Sequence, residues 1–186
     1  MEADWEFEVG GEAPVIDTYW PGFVDLRRAP EQALDLSESA EHPGLAHALV
    51  KLNAADSPVW TSKCDVWPVV DSTEFDVDEL DAPPGLAAHV MGCYIDILPR
   101  SDQRFLTPEM ASAACKRICV ILHAASLRCC RVDLIIRRTV ITSDLDDFGI
   151  TAYLTACGAS KTDAIRALQD ALCAFADALC SHSTLQ

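Results

Sequence analysis

CCRVDLIIRRTVI (129–141), TSDLDDFG (142–149) and ITAYLTACG (150–158) form the stretch on which the fold turns. The outer segments carry the β-branched and aliphatic residues that suit strands, and the middle one is polar and ends in glycine. Together they predict a hairpin. Ser160 and Asp163 follow with the spacing of a helix-capping box, aspartate standing in for glutamate. Beyond them Ile165, Leu168, Leu172, Phe175 and Leu179 recur at alternating steps of three and four, which predicts an amphipathic last helix. The tail HSTLQ lies past its end.

Working back toward the N-terminus, Thr107-Pro108-Glu109 reads as a helix start: N-cap threonine, proline at the first position, an acid in the first turn. The helix should reach about Ala125, with Met110, Ala114, Ile118, Ile121 and Ala125 turned inward. HVMGCYIDILP (89–99) and VWTSKCDVWPVV (59–70) read as strands. Pro43 should open a helix with Leu45, Leu49 and Leu52 on one face, stopping near Asn53. Pro30 should open a shorter one through EQALDLSESA. In DWEFEV (4–9), Trp5, Phe7 and Val9 alternate with Asp4, Glu6 and Glu8. Gly10-Gly11 then turns the chain into APVIDTYW, giving a second predicted hairpin.

The order is β-β-α-α-β-β-α-β-β-α. Strands arriving in pairs argue for an α+β fold, a mainly antiparallel sheet with helices packed on one face. Residues 1–186 read as a single domain, large enough to bury most of its apolar surface. A loose likeness between VID…CDVW and YIDIL…VDLII suggests a weak pseudo-duplication, about 12–70 against 89–180.

Composition narrows the function classes. Half of the 186 residues are hydrophobic, which excludes intrinsic disorder, and the net charge is −15. Residues 1–90 hold 19 acids and 4 bases, while residues 91–186 hold 10 of each, so the first half carries the whole excess. Such an acidic chain repels phosphate backbones, and no nucleic-acid partner is expected. No apolar run reaches the ~20 residues that span a bilayer, so no membrane partner is expected either. The nine cysteines are odd in number and sit in apolar strand and helix patterns, where reduced thiols pack as small hydrophobes. With an N-terminus that lacks a secretory pattern, this predicts a cytoplasmic protein with reduced cysteines.

Period-two alternation sorts each strand into two faces. Aliphatic residues gather on one: Cys93, Ile95 and Ile97; Val132, Leu134 and Ile136; Ala152, Leu154 and Ala156; Trp60, Ser62, Cys64 and Val66. The other collects Lys63, Asp65, Trp67, Tyr94, Asp96, Arg131, Asp133, Arg137, Tyr153 and Thr155, with Thr61 also assigned there. Aspartate is disfavoured inside strands, yet Asp65, Asp96 and Asp133 each occupy one. Two readings follow. The face is a solvated surface of cross-strand ion pairs, or it is a polar pocket with aromatic walls for a small ligand. Convergence of the three aspartates would add a divalent cation and metal-assisted hydrolysis or phosphoryl transfer; otherwise no cofactor is expected.

Other patterns carry less. Cys115, Cys119 and His123 share a helix face but lack the paired short spacings of zinc sites, so core packing is expected. The acidic run DSTEFDVDELD (71–81) lacks the glycine and the terminal glutamate of a calcium loop, and reads as an exposed loop. Phosphate-loop, dinucleotide, esterase-elbow and zinc-protease motifs are absent. The expectation is a binding module that uses the polar sheet face for a small ligand or a protein partner, and the acidic first half suits a basic protein. The alternatives are an aspartate-cluster enzyme and a structural homodimer.

Overall fold

A computed structural model describes residues 1–70, 78–83, 86–100, 104–140 and 147–181. Most of the acidic run at 71–81, most of the loop at 142–149 and the tail HSTLQ lie outside the described residues. Six strands, β1 (Glu2–Glu8), β2 (Ile16–Asp17), β3 (Val59–Val69), β4 (His89–Pro99), β5 (Cys130–Val140) and β6 (Asp147–Gly158), form one sheet. Among the described residues four α-helices, α1 (Ser37–Ala40), α2 (Pro43–Asn53), α3 (Pro108–Ala124) and α4 (Lys161–Cys180), and two short 3-10 helices at Pro30–Asp35 and Asp78–Leu80 complete the α+β fold in the expected order. Among the described residues no helix is long and apolar enough to cross a membrane.

Across the sheet the strands run β1-β5-β6-β4-β3. The pairs β3–β4, β4–β6 and β5–β6 are antiparallel, but β1 and β2 both run parallel to β5. The sheet is therefore mixed, and the expected N-terminal hairpin does not form. A turn closed by Ala13 N–H donating to the Gly10 carbonyl, 3.0 Å, carries the chain out and back to the same edge of β5. Trp5, Phe7 and Val9 alternate with acids in either arrangement, so the residue pattern could not separate the two.

Strands β4 and β5 are parallel with β6 inserted between them and α3 bridging them, a split β-α-β arrangement. A hairpin followed by a helix occurs twice, as β3–β4–α3 and as β5–β6–α4. Both helix starts are capped as expected. Thr107 Oγ1 accepts from Met110 N–H, and Ser160 Oγ accepts from Asp163 N–H.

The main core lies between one sheet face and the helices, where Ile95, Ile97, Val132, Leu134, Ile136, Ala152 and Leu154 meet Leu49, Ile118, Leu168, Leu172 and Phe175. Each large side chain here contributes about 1.5–3 kcal/mol by leaving water. Helix α3 buries Ala111, Ala114, Cys115, Ile118, Cys119 and Leu122, whereas Met110 and Ile121 are exposed. Two cysteines acting as small hydrophobes rotate the buried stripe away from the predicted one. Cys115 and Cys119 are thus core residues, and His123 Nε2 accepts from the Ala3 N–H of β1 at 3.2 Å.

A register shift between Thr61 and Cys64 reverses the alternation of β3. Thr61 therefore faces the helices, where its N–H donates to Asn53 Oδ1 (3.0 Å) and its hydroxyl accepts from Asn53 Nδ2 (2.8 Å). Trp60 turns to the other face and packs with Ile16, Phe23 and Leu98. Both are reversed from the sequence reading, because uninterrupted alternation cannot register a bulge.

Candidate functional site

The second sheet face is a trough closed at both ends by chain crossing over it. At one end, residues leaving β2 pass across the face toward β3. Thr18 Oγ1 donates to the Val140 carbonyl (2.9 Å), and Ser62 Oγ donates to the Asp17 carbonyl (2.7 Å). Ile16 sits directly over Gly149, where an added Cβ would lie 2.9 Å from the isoleucine Cδ1. At the other end the turn at Asp78–Leu80 seats Leu80 on Val90 and Cys157. Two ion pairs hold it down: Arg131–Glu79 at 2.7 Å and Arg128–Asp81 at 3.1 Å.

Between these covers the register aligns one row across four strands: Asp65 opposite Tyr94, Tyr94 opposite Tyr153, and Tyr153 opposite Asp133. The Trp67, Tyr94 and Tyr153 rings follow one another at centroid spacings of 6.2 and 6.1 Å. Gly92 is what admits the indole. A Cβ there would lie 2.7 Å from the Trp67 ring. Facing this aromatic wall are Glu6 and Glu8 of β1, with Ile135 and Thr155 between, around a depression of about 450 Å³.

The charges are mostly committed. Arg131 binds Asp133 at 2.7 Å as well as Glu79. Arg137 binds Glu8 at 2.5 Å, reaches Thr151 Oγ1 (3.2 Å) and the Tyr153 hydroxyl (3.4 Å), and lies 5.7 Å from the Tyr153 ring. Asp96 is only 6% exposed and accepts from the Thr151 hydroxyl at 2.6 Å. Burial lifts its carboxyl above the ordinary range, against the opposing effects of the Thr151 hydrogen bond, Arg137 and Lys63. Burial, then Asp96 and Asp65, push the Tyr94 phenol up to about 12. Lys63 sits at the bulge with its ammonium 5.7 Å from the Trp20 ring. Asp65 is exposed and accepts from Val66 N–H at 2.7 Å.

All the predicted residues thus share this side of the sheet, but the three aspartates do not converge. Asp65 and Asp133 are three strand spacings apart, about 14 Å. Asp133 is also held by an arginine and Asp96 by a threonine. Among the described residues no group of three His, Cys, Asp or Glu side chains is placed to hold a metal ion. Glu6, Glu8, Gly92, Thr151 and Ile135 were missed as site residues. The alternation of β1 marks both glutamates, but an N-terminal hairpin would keep them away from Arg137, which the parallel pairing with β5 sets beside Glu8. Comparison of the chain with protein-family models, curated proteins and solved structures gives no match.

Proposed function

We propose that this chain is a cytoplasmic binding module whose trough takes a basic segment of a protein partner, seating a lysine or arginine against the aromatic wall. One observation carries the reading: both arginines of the trough are already bound to carboxylates of the same chain. What the depression still offers a ligand is the exposed Glu6 together with the Trp67 and Tyr153 rings, with Asp4 and Asp65 exposed in the row that flanks it. Carboxylates beside aromatic faces are the chemistry that receives a cationic side chain, at about 0.5–2 kcal/mol per ring contact. The acidic first half would speed the encounter with a basic surface. The cytoplasmic assignment rests on cysteines distributed through core strands and helices.

Fluorescence anisotropy with a labelled hexa-arginine peptide tests this. Binding should weaken with salt, and Glu6→Gln and Trp67→Ala should each lower affinity about tenfold, roughly 1.4 kcal/mol. Glu31→Gln, a charge removed from the first turn of the short helix at Pro30–Asp35, should leave it nearly unchanged. Equal losses in Glu6→Gln and Glu31→Gln would reduce the binding to net charge and remove the trough from the account.

A further inference from the structure

Cys129 immediately precedes β5, and Cys157 is the penultimate residue of β6. The ladder pairs Cys130 with Ala156, and the next step brings Cys129 opposite Cys157. Cys157 N–H donates to the Cys129 carbonyl at 2.9 Å, which ties the two backbones together. Directly opposed residues in antiparallel strands have Cα atoms about 4.5–5.5 Å apart, inside the span that a disulfide bridges. In a regular hydrogen-bonded pair the side chains diverge, but Cys129 is not in regular strand conformation. Its φ is +61°, a left-handed value that side chains other than glycine's rarely adopt. In that conformation the Cys129 side chain packs against the cluster formed by Leu80, Val90 and Cys157. A cysteine occupies a position that glycine would fill without strain, and it shares one side-chain cluster with a second cysteine.

Access differs between the two. Cys157 is buried, whereas Cys129 is partly exposed. Both line a pocket of about 290 Å³ between β6 and α4. An oxidant reaching that pocket meets Cys129 first, and Cys157 stands behind it as the resolving thiol.

We infer that Cys129 and Cys157 form a reversible redox-modification site, closed to an intramolecular disulfide by a low-molecular-weight disulfide. The Cys129 thiolate attacks one sulfur of the small disulfide and expels one small thiol. The Cys157 thiol then gives up its proton, attacks the Cys129 sulfur of the mixed disulfide and expels the second small thiol. The protein loses two protons and two electrons, the small disulfide takes them up to become two thiols, and excess small thiol reverses both steps. Leu80 of the turn that closes one end of the trough packs on Cys157, so the bridge would form beneath that turn. The inference stands on the opposed cysteine pair and its shared pocket, and does not depend on the trough's ligand.

Incubating the whole chain with oxidised glutathione, alkylating the remaining thiols and digesting with trypsin under non-reducing conditions tests it. Cleavage after Arg128, Arg131, Arg138 and Lys161 releases Cys129 and Cys130 in one peptide and Cys157 alone in another. These two peptides should appear linked, lighter by two hydrogens, and dithiothreitol should separate them. The link should survive Cys130→Ser and vanish in Cys129→Ser and Cys157→Ser. The exposed Cys173 should be recovered as a mixed disulfide, which shows that the oxidant acted. A link that survives Cys129→Ser, or no link in wild type while Cys173 is converted, would overturn the proposal.

Discussion

Tyr94 and Tyr153 stand directly opposite each other on the two central strands, ring centroids 6.1 Å apart, and each has an aspartate opposite it on its outer neighbour. Asp65 flanks the first and Asp133 the second. Two residues before each aspartate comes a cation, Lys63 or Arg131. The two hairpin–helix units thus present matching residues to the same face, about an axis running between the tyrosines. The match is not complete: Arg131 closes on Asp133, whereas Lys63 is drawn into a bulge and lies over Trp20. One half of the trough is internally neutralised. The other leaves Asp65 exposed.

The Tyr94 phenol should therefore titrate late. Tyr94 is pushed up to about 12, while an unperturbed tyrosine ionises near 10. Because the folded-state value is the higher, the stability linked to Tyr94 is intact below pH ~10 and is lost as pH rises toward ~12. Ultraviolet absorbance of the phenolate should show one late step in wild type. Tyr94→Phe should abolish that step, and Asp96→Asn should move it down by removing a nearby carboxylate. A late step that persists in Tyr94→Phe would contradict the assignment.

Asp96 gives the opposite-looking result at neutral pH. Its raised folded-state value means that the linked stability is present in full below about pH 3.9 and is lost as pH rises through the folded-state value. The ionised form therefore penalises the fold at pH 7. Asp96→Asn should raise the midpoint of urea unfolding at pH 7, with the gain shrinking toward pH 3. Thr151→Val, which removes the donor to this buried carboxylate, should cost about 1–3 kcal/mol at pH 7 and less at pH 3.

Much of this was legible in the residues. The strands at 89–99 and 59–70, the caps at Thr107 and Ser160, and the single face shared by the tyrosines and aspartates follow from local chemistry and period-two alternation. The losses came where non-local geometry decides. Alternation in Asp4–Val9 reports that one side is apolar but not which strand lies alongside, so it predicts pairing with residues 13–20 where the structure has β5. The bulge at Ser62-Lys63 inserts one extra residue that leaves no mark on hydrophobicity, so alternation alone puts Trp60 and Thr61 on each other's faces. Crossing segments are harder still. Ile16 covering Gly149 and Leu80 covering Cys157 turn an open sheet into a trough, and neither contact has a periodic signature.

Ser160→Ala tests the cap of the longest helix. The hydroxyl accepts from Asp163 N–H (3.2 Å) and donates to the Asp163 carboxylate (2.6 Å), so alanine frees one backbone donor and one carboxylate acceptor. The expected cost is about 1 kcal/mol in urea unfolding. Ser160→Asp should recover most of the cap at the backbone N–H but place two carboxylates together. A full recovery would show that the Ser160–Asp163 contact adds nothing beyond the cap.

Two glycines separate stability from the trough. Gly158 ends β6 where α4 begins, and an added Cβ would stand 2.5 Å from the Ala164 nitrogen, a backbone atom that cannot yield without moving the helix. Gly158→Ala should therefore destabilise the chain by at least about 1–3 kcal/mol, the usual range for overpacking. At Gly92 the obstructing atoms belong to the Trp67 side chain, 2.7 Å away, on a half-buried residue free to swing toward solvent. Gly92→Ala should cost less stability, shift the tryptophan emission to longer wavelength, and weaken hexa-arginine binding about as much as Trp67→Ala does. Unchanged emission together with a stability loss equal to that of Gly158→Ala would mean that the indole is locked in place, and that the strand yields instead.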